Sequence, residues 1–156
     1  MTSLLIALDF SDSTSPILKH AGFLGSALNA RLLLLHVVEP ISTIIPVGPS
    51  MDILTTPAPL EQTNLSLVEK RLETLASSIT PPPPEVIVRV DTGLPAEVIC
   101  RTATQEGISY ILLGSHGHGA IYQFFAGSVV TSVLKSAPCP VLVVPTPSRA
   151  LKSTQP

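Results

Sequence analysis

A chain of 156 residues is long enough for one domain with a sizeable core, burying roughly two-thirds of the surface that its unfolded form exposes. Apolar residues make up 45% and charged residues 13%, about half the usual charged share, so more surface than normal must be buried inside a sheet or against a partner subunit. A net charge of -2 without any basic cluster excludes nucleic acid as a main partner, and no apolar run approaches the roughly 20 residues of a membrane span.

Residues 3–8 are a continuous apolar run ending at Asp9, as in a strand buried on both faces with a polar residue at its carboxyl end. Residues 11–16 are rich in helix-capping types, with Pro16 suited to a first helical turn, and Ile17, Ala21, Leu24 and Leu28 then repeat at helical spacing. A second apolar strand is predicted over 31–38. From 40 to 59 the chain carries Pro40, Pro46, Pro49, Pro57 and Pro59, which predict a long irregular loop (39–59), functional or mobile and partly packed through its apolar residues.

Leu65, Val68, Leu72, Leu75 and Ile79 form the apolar stripe of a helix over 60–79. Four prolines at 81–84 end it, and a short polyproline connector follows. Residues 85–90 alternate as an edge or near-edge strand does. Pro95 opens a helix with Val98, Ile99, Thr102 and Ala103 inward, and Gly107 is placed to close it in a left-handed conformation. A strand over 108–113, a helix over 128–137 stopped by Pro138, and an apolar strand at Val141, Leu142, Val143 and Val144 complete the order. The polar tail 147–156 is expected to be disordered.

Strands alternating with helices predict an α/β fold, a parallel doubly wound sheet covered on both faces, in one domain over 1–146. Ligands of such sheets sit beyond the carboxyl ends of the strands, where strand order reverses. Asp9 and the segment from Gly114 to Gly117 mark that crevice. The amino terminus shows no basic lead or cleavage-type site, and Cys100 and Cys139 form no Cys-x-x-Cys pair, which fits a cytoplasmic protein with two reduced thiols.

The stretch after the fourth strand of the alternating series is a phosphate cradle in outline. Gly114, two residues, Gly117, nine residues, Gly127 and then Ser128 bring glycine-dense backbone to a helix start, where free N–H groups and the dipole favour an anion. Plainer roles stay open. Asp9 can cap the following helix, Ser128 can be an N-cap, Gly114 and Gly117 can serve turn geometry, and His116 can hydrogen-bond in a turn or beside a ribose, a metal role being the weaker alternative.

The glycine spacing resembles the ATP-binding signature of the universal stress protein family. The resemblance extends to 6–11, 35–39, 91–96 and 138–145, and so spans most of the chain. It implies a three-layer, Rossmann-like fold of the adenine nucleotide alpha hydrolase type, with five mainly parallel strands in the order 3-2-1-4-5 and helices on both faces. It further implies that Asp9 and Val37 flank the adenine with Ala7 and Leu8 supplying backbone, and that Leu113 and Gly114 line the base and ribose side. Gly117, Gly127, Ser128 and Val129 would hold the phosphates of ATP, or of AMP or ADP, with Mg2+ or Mn2+ on the phosphates and no protein metal ligand. A homodimer through the last strand, Val141 to Val144, is implied too, and an unidentified protein partner is expected in stress response or signalling.

One departure bears on chemistry. The family often has a basic residue after Gly117, whereas His118 and Gly119 follow here and the loop contains no Lys or Arg. ATP is therefore expected to bind more weakly at pH 8 than at pH 6, where an imidazolium at 118 would face the phosphates. Calorimetric titration of the wild type and of His118→Ala checks this, and equal affinity at both pH values would overturn it. No Walker lysine and no nucleophile with an adjacent base accompany the loop, so hydrolysis is expected to be slow at most. The other readings are a dimeric interaction module with no nucleotide or a different ligand, and a slow ATPase.

Overall fold

The computed structural model describes residues 1–40, 42–47, 52–57, 62–115 and 128–145. Strand β1 (Ser3–Ala7) leads into helix α1 (Thr14–Ala27), which returns to β2 (Arg31–Val38). After β3 (Ser42–Val47) and β4 (Asp52–Pro57) come α2 (Gln62–Ser77), β5 (Glu85–Thr92), α3 (Pro95–Gln105), β6 (Tyr110–Gly114), α4 (Ser128–Ser136) and β7 (Val141–Val144).

The main sheet has the order β5-β2-β1-β6-β7 with every pairing parallel. Numbered within that sheet, this is the predicted 3-2-1-4-5. Alternate residues of the central strands feed two cores. Leu4, Ile6, Leu32 and Leu34 pack with α1 and α2, whereas Leu5, Leu33 and Leu35 pack with α3 and α4. Strands apolar on both faces cannot be left half in water, which is why Leu32 to Leu35 read as one unbroken run.

Two helices end in the same way. In α3 the Gly107 φ of 60° lets Ile108 N–H donate to the Ala103 carbonyl at 2.9 Å and Gly107 N–H to the Thr104 carbonyl at 3.4 Å. In α1, Asn29 with φ 48° lets Ala30 N–H reach the Gly25 carbonyl at 2.8 Å and Asn29 N–H the Ser26 carbonyl at 3.2 Å. Both closures satisfy carbonyls that the helix itself leaves free. The first also explains why β6 starts at Tyr110 and not at Ile108, which is spent on closing the helix. Pro95 opens α3, and Val98, Ile99, Thr102 and Ala103 are all buried as predicted.

Three expectations are corrected. The segment from 40 to 59 is not irregular throughout, because β3 and β4 pair antiparallel from Ser42 opposite Pro57 to Val47 opposite Asp52. Ile44, Ile45, Val47, Ile53, Thr55 and Thr56 favour extended backbone, and a two-stranded ribbon has free edges that tolerate proline. Leu28 stands at the end of α1 and is 45% exposed, outside the apolar stripe that Ile17 and Ala21 continue. Finally, Ser13 precedes α1 in helical conformation (φ -73°, ψ -18°) and makes no side-chain cap.

The sheet's two edges differ. On β5, Arg89 and Asp91 belong to a chain of ion pairs, Arg31–Glu106, Glu106–Arg89, Arg89–Asp91 and Asp91–Arg101, at 3.2 to 3.8 Å. Charges of this kind deter edge-to-edge pairing. The other edge, β7, reads Val-Leu-Val-Val with Leu142 41% and Val143 38% exposed.

Candidate functional site

Register sets what meets at the carboxyl ends of the strands. Ala7 lies opposite Leu35, two residues before Val37, and Ile6 lies opposite Leu112, two residues before Gly114. Side-chain alternation then sorts the predicted residues. Ala7, Val37, Leu113 and Val129 all pack with the cluster on the α3 and α4 side, Leu113 buried and the others partly so. Leu8 points to the opposite core, its N–H donates to the Leu35 carbonyl at 2.9 Å, and its carbonyl faces His36 Nδ1 at 2.7 Å. Its backbone is therefore engaged within the fold.

Asp9 follows β1 and is half-buried. Its Oδ1 accepts from Ser11 N–H at 3.0 Å, fixing the turn into α1. Among the described residues Oδ2 takes no hydrogen bond. Ser11 and Ser13 hydroxyls lie 2.6 Å apart, which accounts for the missing cap, since the Ser13 oxygen is turned toward Ser11 and away from the helix N–H groups.

Gly114 ends β6 beside this turn. A Cβ there would lie 2.8 Å from both the Cβ and the Oγ of Ser13 and 3.0 Å from Ile17 Cδ1, so the absent side chain is what lets β6 and the start of α1 come together. The next residue continues the sheet, Ser115 N–H donating to the Val144 carbonyl at 2.9 Å. Ser128 is the first residue of α4 and Val129 lies in its first turn. His116, Gly117, His118 and Gly127 lie outside the described residues, as does the predicted tail.

These residues suit an adenine nucleotide by their chemistry. A partly open apolar face (Ala7, Val37, Val129) adjoins one carboxylate with a free oxygen and the amino end of a helix, which favours an anion. Burial pushes the Cys100 thiol up, and burial first and Cys100 second push Cys139 up, so both stay protonated and poor nucleophiles. Among the described residues no helix is long and apolar enough to cross a membrane.

Sequence reasoning missed one constellation. Phe10 adopts φ 59°, in the left-handed region that bulky residues rarely enter. Its ring packs 4.3 Å from that of His36 at 34°, and the Arg71 guanidinium carbon lies 4.2 Å from its centroid. Arg71 borders the apolar stripe of α2, next to Leu72 and one turn before Leu75, and nothing in the pattern singles it out.

Comparison with known proteins agrees with this fold. The profile of the Universal stress protein family matches residues 1–145. A universal stress protein of Thermus aquaticus is 33% identical over 145 residues, covering 91% of this chain and 97% of its own. Among solved structures, a universal stress protein in complex with cAMP superimposes with a TM-score of 0.66 at 19% identity, covering 93% of this chain and 97% of its own. One from Archaeoglobus fulgidus in complex with dAMP gives 0.65 at 18% identity, covering 92% and 98%. The match along nearly the whole chain, joined to the observed strand order, places this protein in the universal stress protein family.

Proposed function

We propose that the protein binds an adenine nucleotide, ATP in the first place with AMP or ADP as alternatives, at the carboxyl ends of β1, β2 and β6. Nucleotide occupancy would then set its conformation or its choice of protein partner in a cytoplasmic stress response or signalling role. The observation that carries this reading is the convergence of Asp9, Val37 and Gly114 from three adjacent parallel strands beside the start of α4. The cAMP and dAMP complexes of proteins with the same fold support it.

In this reading Asp9 and Val37 flank the adenine, the free Asp9 oxygen accepting a hydrogen bond from the ligand, with Ala7 and Leu113 beside the base. Gly114 and His116 line the ribose side, while Gly117, His118, Gly127, Ser128 and Val129 hold phosphate. Leu8 contributes by fixing the turn, because its backbone is already paired. A phosphate-held Mg2+ or Mn2+ would supply the positive charge that the loop lacks.

Mass spectrometry of ligand released from protein purified without added nucleotide is expected to find ATP or AMP. Asp9→Ala is expected to weaken ATP roughly 10- to 100-fold in calorimetry, the value of a hydrogen bond to a charged group. A pocket that takes no adenine nucleotide at millimolar concentration would leave the interaction-module reading in its place.

A twofold homodimer through β7 belongs to the same proposal. Leu142 and Val143 are exposed on an edge without a charged residue, whereas β5 is guarded by its ion pairs. Light scattering at micromolar concentration is expected to give twice the chain mass, and a monomer there would count against the arrangement.

A further inference from the structure

We propose that the groove between α1 and α2 is a second ligand site, built for the phosphate group of a small phosphate monoester such as a sugar or short-chain phosphate. It lies on the α1 and α2 side of the sheet, away from Ala7 and Val37, and has a volume of about 620 Å³. That is within the usual range for a small-molecule site.

Its polar groups suit an anion. Arg71 and Lys19 both line the groove, and among the described residues neither makes an ion pair or a hydrogen bond. Arg31, Arg89 and Arg101, by contrast, are each paired with a carboxylate. Phe10 carries Arg71 over its ring, which positions the guanidinium while leaving its five N–H donors for an oxyanion. Thr14 also lines the groove, and its Oγ1 is buried with no hydrogen-bond partner. A buried hydroxyl left unpaired is costly, and a phosphate oxygen would satisfy it.

Charge and shape narrow the ligand. Two cations against the single carboxylate of Asp12 leave one net positive charge in the lining, which suits a phosphate. The groove also extends over Leu18 and Leu75, so there is room and apolar surface for an organic body. Phe10 already carries His36 and Arg71, so a nucleobase finds no free aromatic face there.

The test is an amide NMR titration of the apo protein with glycerol 3-phosphate and, separately, with inorganic phosphate. Saturable shifts are expected at Ser11, Thr14, Ser15 and Lys19, with the ester binding more tightly than the free ion. Lys19→Gln and Arg71→Gln are each expected to weaken the ester about 10-fold, and Asp12→Asn to tighten it. Lys19 is exposed on α1, so its variant keeps the fold even if loss of the Arg71 stack loosens α2. Shifts confined to Val129 and Val130, equal affinity in the three variants, or equal affinity for the two probes would overturn the assignment.

Discussion

Leu34→Ala is expected to cost about 2–5 kcal/mol of folding stability, the range for deleting three buried carbons from a closed core. Leu34 is 0% exposed, stands between Ile6 of β1 and Val88 of β5 in register, and packs into the α1 and α2 core. Neighbours on both sides and in the layer above leave little freedom to collapse into the gap. For a domain whose whole margin is roughly 5–15 kcal/mol, this is a large fraction. Urea unfolding should show a lower midpoint at unchanged slope. Leu67→Ala on α2, where the side chain is 60% exposed, should stay within about 0.5 kcal/mol. Similar losses for both variants would mean that the α2 layer is not seated on the sheet as described.

Gly114→Ala is expected to cost about 1–3 kcal/mol by overpacking, lowering Tm by about 2–12 °C. The added Cβ would meet Ser13 at 2.8 Å, and Ser13 cannot swing clear because it is buried and its hydroxyl is held by Ser11. The turn carrying Asp9 must then shift, and ATP affinity should fall together with stability. Differential scanning calorimetry and calorimetric titration on the same sample separate the possible roles. A glycine needed only for backbone to approach phosphate would weaken binding with Tm unchanged, and that result would sink the packing account.

The fold was legible because its signals are local and agree with one another. Leu32 to Leu35 cannot be half-exposed, Pro95 and Gly107 bracket α3, and the βα alternation leaves few topologies. The strand order itself came from family resemblance, and the pairing registers bear it out. The hairpin of β3 and β4 was hidden because prolines were weighed as breakers, whereas the β-branched residues between them govern a ribbon with free edges. Asp9, Val37 and Gly114 were readable as strand-end residues. That Ala7 and Leu8 face opposite cores follows from the pleat and could also have been read. The stack of Arg71 on Phe10 could not, since it joins a turn to a helix about 60 residues later through a left-handed backbone that no spacing announces.

The place of β1 in the sheet governs how the chain can be assembled as it is made. The first strand is the central one, flanked by β2 and β6, and its Ser3 also exchanges hydrogen bonds with Ser109, 106 residues away. On the ribosome β1 can pair with β2 early, but its other side stays open until residues 110–114 have left the exit tunnel. Closing contacts of such long sequence separation is slow. An apolar edge of the nascent sheet is thus its own future centre, and β1 must wait for β6 before its second side is covered.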